Sequence, residues 1–126
     1  HLPANQDHPT QVTAREVAGE EPFASALGGW VHPTHLLPVE SYATLLHRLG
    51  FARPRVRLAV YTHLLESRES VVEWVRSSIL TEYESRLPPG LWEEFLSAYR
   101  ERLLPRLADE RPHFFTFKRV LMHAAL

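Results

Sequence analysis

The sequence predicts an α+β fold in which two late strands are separated by a helical insertion. Three observations carry that expectation. Residues 56–63 (Val-Arg-Leu-Ala-Val-Tyr-Thr-His) are β-branched and roughly alternating, the pattern of a half-buried strand. Residues 114–126 form a second strand candidate, with Phe115, Phe117 and Leu121 on one face and Val120 and Met122 on the other. Between them, apolar residues recur at helical spacing. Val71, Val72, Val75, Ile79 and Tyr83 make one such stretch; Trp92, Phe95, Leu96, Tyr99 and Leu103 make the next.

The remaining elements follow in order. Residues 1–8 read as the end of a strand entering the polar loop Asn5-Gln6-Asp7-His8. Pro9 and Thr10 open a short helix reaching Ala18, with Val12 and Val17 as its apolar positions. Residues 19–37 are an irregular stretch holding Gly28-Gly29-Trp30, His32 and His35; a connection this long is often a lid or binding loop. Pro38 suits a first helical turn, where its missing N–H costs nothing. Tyr42, Leu45, Leu46 and Leu49 then predict one buried face, and Gly50 closes the helix where left-handed backbone is wanted. Ser67 is the expected N-cap of the next helix, with Glu69 in its first turn and Trp74 widening its core face. Pro88-Pro89-Gly90 breaks that region and starts the helix around Phe95, whose exit Pro105 and Pro112 bracket.

Composition narrows the function classes. At 126 residues the chain is one domain or part of one. Hydrophobic residues at 44% and charged residues at 23% are enough for an ordinary core. The formal charge of −1, with Lys and Arg scattered along the sequence, argues against a nucleic-acid partner. No apolar run approaches the roughly 18 residues of a membrane helix, so no membrane partner is expected. Cysteine is absent, which excludes disulfides, thiolate metal sites and a Cys nucleophile, and fits a cytoplasmic protein. The glycines never form a G-x-G-x-x-G or Walker-type loop, so nothing here cradles a nucleotide or dinucleotide. The opening on His1 rather than Met leads us to expect a piece of something longer.

Several segments carry a family resemblance. His1-Leu2-Pro3-Ala4-Asn5 is similar to a fifth strand that ends in a Met-Pro-Asp-Asn-like turn, with Pro3 and Asn5 matching. Pro9-Thr10 and Arg15-Glu16-Val17-Ala18 match the helix after it, and residues 42–50 match a Tyr-x-x-x-Leu-x-x-x-Gly helix. Val71-Val72-Glu73-Trp74-Val75 is similar to Ile-Ile-Asp-Trp-Val at the opening of an insertion, and Tyr99 matches an aromatic in the second insertion helix. Phe117-Lys118-Arg119 is similar to a Phe-Pro-Arg that leads into a last strand. Taken in order, these segments resemble the C-terminal portion of a class I S-adenosylmethionine-dependent methyltransferase, and more narrowly the trans-aconitate 2-methyltransferase family.

The resemblance implies a Rossmann-like α/β parent. In it, residues 1–66 end the α/β core, 67–109 form the helical insertion and 113–126 the final strand, while the cofactor-binding N-terminal half is absent. It implies that the parent moves a methyl group from S-adenosylmethionine to a small, carboxylate-bearing molecule. This chain would then form one wall of the acceptor site, hold no cofactor and be inactive alone. One departure bears on the substrate. Thr81 and Glu82 stand where the family has Arg-Pro, so a carboxylate sits beside the place of a guanidinium, the natural bidentate partner of a carboxylate.

The implied acceptor-binding residues are Asn5, Trp74 and Arg119. Each has an ordinary alternative: Asn5 as a turn residue, Trp74 as core and Arg119 as a solvated charge. Tyr42 and Tyr99 are further phenolic donors, although both fall on expected core faces. No catalytic residue is assigned, because an ionised carboxylate needs no general base, and positioning with exclusion of water can carry the displacement. His8 and His35 would serve as bases only toward a hydroxyl or amine acceptor. His32 and His35 share H-x-x-H spacing but fall short of the three or four ligands of a zinc site, so no metal is assigned and a metal-dependent hydrolase is the weakest reading. The rival class is a stand-alone helical binding or dimerisation module, since unpaired edges of the two late strands would invite self-association.

Overall fold

The elements run β1 (Leu2–Pro3), α1 (Pro9–Ala18), α2 (Phe23–Ala26), α3 (Val39–Arg48), β2 (Ala52–Leu65), α4 (Glu69–Arg76), α5 (Thr81–Arg86), α6 (Pro89–Leu103), a 3-10 turn (Leu104–Arg106) and β3 (His113–Ala125). This computed structural model describes residues 2–33 and 36–126. The strands form one sheet in the order β1-β3-β2. β1 runs antiparallel to β3, with Leu2 opposite Val120 and Pro3 opposite Arg119. Both late strands are present on either side of the helical segment, and the fold is α+β as the sequence predicts.

The chain divides into two units that cut across the linear 1–66, 67–109, 113–126 order. One comprises His1–Gln6, Thr34–His63 and Thr116–Leu126; the other comprises Asp7–Pro33 and Leu64–Phe115. α1 therefore groups with the insertion helices. The reason is packing: the Tyr99 hydroxyl of α6 donates to the Thr10 carbonyl of α1 at 2.9 Å.

In the first unit the core is small. Ala4, Tyr42 and Val120 are buried, with Leu2, Leu36, Val39 and Val56 packed around them. The expected buried face of α3 is correct at Tyr42 but not beyond it: Leu45 is 47% exposed and Leu49 65%. Leu58, Val60 and Leu64 of β2 are exposed as well. A helical stripe is buried only where something covers it, and among the described residues this cluster covers α3 at Val39 and Tyr42, in its first turns. The helix does end as expected. Gly50 sits at φ 91°, its N–H bonds to the His47 carbonyl at 3.0 Å, and the Phe51 N–H reaches the Leu46 carbonyl at 3.1 Å. This pair of bonds is the Schellman closure that left-handed glycine permits.

In the second unit an aromatic core joins α2, α5 and α6. Phe95 stacks on Tyr83 and Trp92 at 5.0 and 5.9 Å and meets the edge of Phe23 at 5.4 Å. Across the α1–α6 contact, Arg102 pairs with Glu20 at 2.6 Å and Arg106 with Glu16 at 2.8 Å. The 19–37 stretch is no open lid over its described part. It holds α2, and the His32 N–H donates to the Tyr83 hydroxyl at 2.9 Å. Trp30 packs on Tyr83 at 5.2 Å, with the Arg86 guanidinium 3.9 Å over its ring.

Two local expectations are corrected. α4 starts at Glu69 with Arg68, not Ser67, at the N-cap; the Ser67 N–H instead donates to Ser70 Oγ at 3.3 Å. The helix drawn from Val71 to Tyr83 is two helices. Ser77 and Ser78 turn their hydroxyls back onto the Trp74 and Val75 carbonyls at 3.1 and 3.2 Å, competing with the helical ladder where α4 stops. The break shifts the register, so Leu80 is fully buried and Ile79 only half-buried.

Candidate functional site

β1 ends on Pro3, which has no N–H to give a ladder. Pairing continues past it all the same. The Ala4 N–H donates to the Lys118 carbonyl at 2.9 Å. The Asn5 side chain then takes over as a third rung: the Lys118 N–H donates to Asn5 Oδ1 at 2.7 Å, and Asn5 Nδ2 donates to the Lys118 carbonyl at 3.3 Å. A primary amide has two donors and two lone pairs, and these bonds use one of each.

Arg119, opposite Pro3 on β3, lies next along the chain from Lys118 and is half-buried. Its guanidinium stands 5.9 Å from the Phe117 ring. Phe117 in turn stacks on Tyr61 at 5.5 Å and on His63 at 5.9 Å, both from β2. β1, β3 and β2 thus gather Asn5, Arg119, Phe117, Tyr61 and His63 in the first unit. The sequence reading missed Tyr61 and His63. Their signal was the two-residue spacing at the end of an expected strand, which puts both on one face with Phe117 of the neighbouring strand.

Trp74 lies in the second unit, on α4. It does not widen the core: it is 40% exposed and packs at 5.8 Å against Phe115. Val71, Val72 and Val75 fill the buried face of α4, and position 74 projects to the side of it. Phe115 also meets the edge of His8 at 5.4 Å.

The other candidates have structural work. The Tyr42 hydroxyl accepts from the Leu37 N–H at 2.9 Å. Tyr99 gives its proton to the Thr10 carbonyl, and burial pushes its pKa well above the phenolic range. His8 is the N-cap of α1: its Nδ1 accepts from the Thr10 N–H at 3.1 Å, so that nitrogen is occupied as an acceptor. His35 lies outside the described residues, and with it the H-x-x-H pair. Among the described residues no cluster of three His, Cys, Asp or Glu could hold a metal.

Among the described residues no glycine-rich turn leads from a strand into a helix. Gly28 and Gly29 follow α2 and Gly50 ends α3; none lies at such a turn, the place where an α/β sheet cradles a nucleotide or dinucleotide. Among the described residues no helix is long and apolar enough to cross a membrane.

A core α+β segment with a three-stranded antiparallel sheet and a helical insertion is compatible with part of a methyltransferase, and sequence comparison identifies that class. The chain is 33% identical over 115 residues to a trans-aconitate 2-methyltransferase of Sinorhizobium fredii, covering 87% of this chain and 44% of that protein. It is 36% identical over 104 residues to the enzyme of that name from Rhizobium meliloti, covering 81% and 40%. With the Deinococcus radiodurans protein of the same name it shares 32% identity over 129 residues, covering 98% and 49%. The chain is thus a relative of the trans-aconitate 2-methyltransferases, as its motifs imply. It spans less than half the length of these curated relatives. No family model matches it.

Proposed function

We propose that this chain is the C-terminal, acceptor-binding and sheet-completing part of an S-adenosylmethionine-dependent methyltransferase. The parent transfers a methyl group to a small, carboxylate-bearing molecule. The observation that carries this reading is identity of 32–36% over 81–98% of the chain, confined to less than half of each relative. The cofactor site then belongs to the part of the parent outside this chain, and the chain alone is inactive. Asn5 and Arg119 offer an amide and a guanidinium from the paired strands β1 and β3, and Trp74 offers an exposed aromatic face. Trans-aconitate itself is not assigned as the acceptor, because Thr81 and Glu82 stand where the family has Arg-Pro. Glu82 holds the position beside the family's arginine, and the Thr81 hydroxyl is turned onto the Arg76 carbonyl at 3.0 Å.

Calorimetric titration of S-adenosylmethionine into this chain and into the full-length parent tests the reading. Binding by the parent with no heat from the chain is the expected result; a parent that fails to bind the cofactor would refute it.

The exposed Leu45, Leu49, Leu58 and Val60 favour one second reading, a module that associates through its apolar surface. It requires dimers or exchanged strands in solution. Light scattering that finds only monomer at high concentration removes it.

A further inference from the structure

The two units differ sharply in charge. The first carries Arg48, Arg53, Arg55, Arg57, Lys118 and Arg119 against a single acid, Glu40, a formal charge of +5 within a chain of −1. The basic residues are shared between the units, six of 14 in the first; the asymmetry arises because 14 of the 15 acids lie in the second. Arg53, Arg55 and Arg57 alternate along β2 and fall on one face of it, about 6.6 Å apart at each step. β2 and β3 contain no acidic residue. Elsewhere Arg68, Arg76, Arg102, Arg106 and Arg111 each lie within 4.0 Å of a carboxylate. Arg53, Arg55 and Arg57 have no such partner among the described residues.

These arginines line a trough. One cavity of about 320 Å³ is bounded by Arg55, Arg57, Leu121, Met122 and His123; a second, of about 350 Å³, shares Arg55 and His123 and adds Arg53 and Ala125. Arg53 reaches it from a left-handed backbone at φ 49°, a conformation that is unfavourable for a residue with a Cβ. A strained residue kept at a mouth of like charges is an observation that points toward a ligand. The floor is partly apolar, through Leu121, Met122 and Ala125. His123 lies four residues beyond Arg119, roughly 13 Å along the strand, which separates the trough from the contacts of Asn5.

We infer that this trough binds a small organic molecule carrying two or more phosphate or carboxylate groups, held by Arg53, Arg55 and Arg57 with His123 beside them. Guanidiniums fork onto such groups with paired hydrogen bonds. The assignment does not rest on the methyltransferase reading.

Isothermal titration of pyrophosphate and of citrate into the protein at low salt tests it. One saturable site with Kd below about 1 mM for either probe is expected, weakening as salt is added. Tighter binding of pyrophosphate marks a phosphate ligand, and tighter binding of citrate a polycarboxylate. Arg57→Ala should weaken binding about tenfold. Arg100→Ala, which removes an exposed charge from α6, should leave it unchanged. Absence of saturable heat with both probes overturns the inference, leaving the arginines as charges that guard an edge strand. Equal losses in Arg57→Ala and Arg100→Ala also overturn it, as does tighter binding of a single-stranded oligonucleotide than of either probe.

Discussion

Asn5 holds both backbone polar groups of Lys118, accepting from its N–H at 2.7 Å and donating to its carbonyl at 3.3 Å. This side chain extends the β1–β3 pairing beyond a proline that cannot. Asn5→Ala should lower stability by about 1–2 kcal/mol, the range for one or two buried hydrogen bonds. Urea unfolding reads that loss, and the Lys118 amide should exchange faster with solvent. In the full-length parent, an unchanged KM for the acceptor in Asn5→Ala would leave Asn5 with a structural role only.

His8 caps α1 through Nδ1, an unusual choice, since Asn, Asp, Ser and Thr lead at that position. His8→Ala should cost about 1 kcal/mol and His8→Asn should recover most of it. Thermal melts of the pair decide the point; an equal loss in both would place the value of His8 in its edge contact with Phe115 instead.

Tyr99 ties α6 to α1 by a buried bond to the Thr10 carbonyl. Tyr99→Phe keeps the ring and deletes the bond, so a loss of about 1 kcal/mol is expected. The denaturant midpoint should fall with an unchanged slope.

Gly50→Ala should destabilise by about 1–2 kcal/mol, because φ 91° brings a Cβ against the following carbonyl. No neighbouring atom lies within 4 Å of the added methyl, so the cost is backbone strain and not a clash. A crystal structure of the variant with α3 ended one residue earlier would show how that strain is relieved.

Acid should weaken the fold. The Arg102 hydrogen bond holds the Glu20 carboxyl below its ordinary pKa of 4.5, against a smaller opposing effect of burial. Glu69 is held below the same value, first by a bond from its own backbone N–H and then by the Ser67 hydroxyl. Carboxyls depressed in the folded state stabilise it above their unfolded pKa and lose that effect as pH falls through the folded value. Melting temperature should therefore be level above about pH 5 and fall below about 4.5. In Arg102→Met the acid fall should be shallower.

Much of this fold is legible along the chain. The alternation in 56–63, the helical spacing of Trp92, Phe95, Tyr99 and Leu103, and the Leu49-Gly50 stop each report a local backbone preference, and each element is where that preference puts it. The break between α4 and α5 escaped because hydrophobic spacing continues through it, while the competition comes from two serine hydroxyls. α2 escaped because four residues carry too little periodicity to read. The His8 cap escaped because histidine has no strong preference for that place.

The sequence by itself determined the type and order of the longer elements, the closure of α3 at Gly50 and the family resemblance. Those depend on residues close together in the chain or on motifs in a fixed order. The tertiary structure alone decided that Leu45 and Leu49 stay exposed, that Asn5 binds Lys118, that Tyr61 and His63 stack on Phe117, and that all but one of the acidic residues fall in one unit. Burial, cross-strand pairing and net local charge depend on which distant segments meet, and no local pattern encodes that meeting.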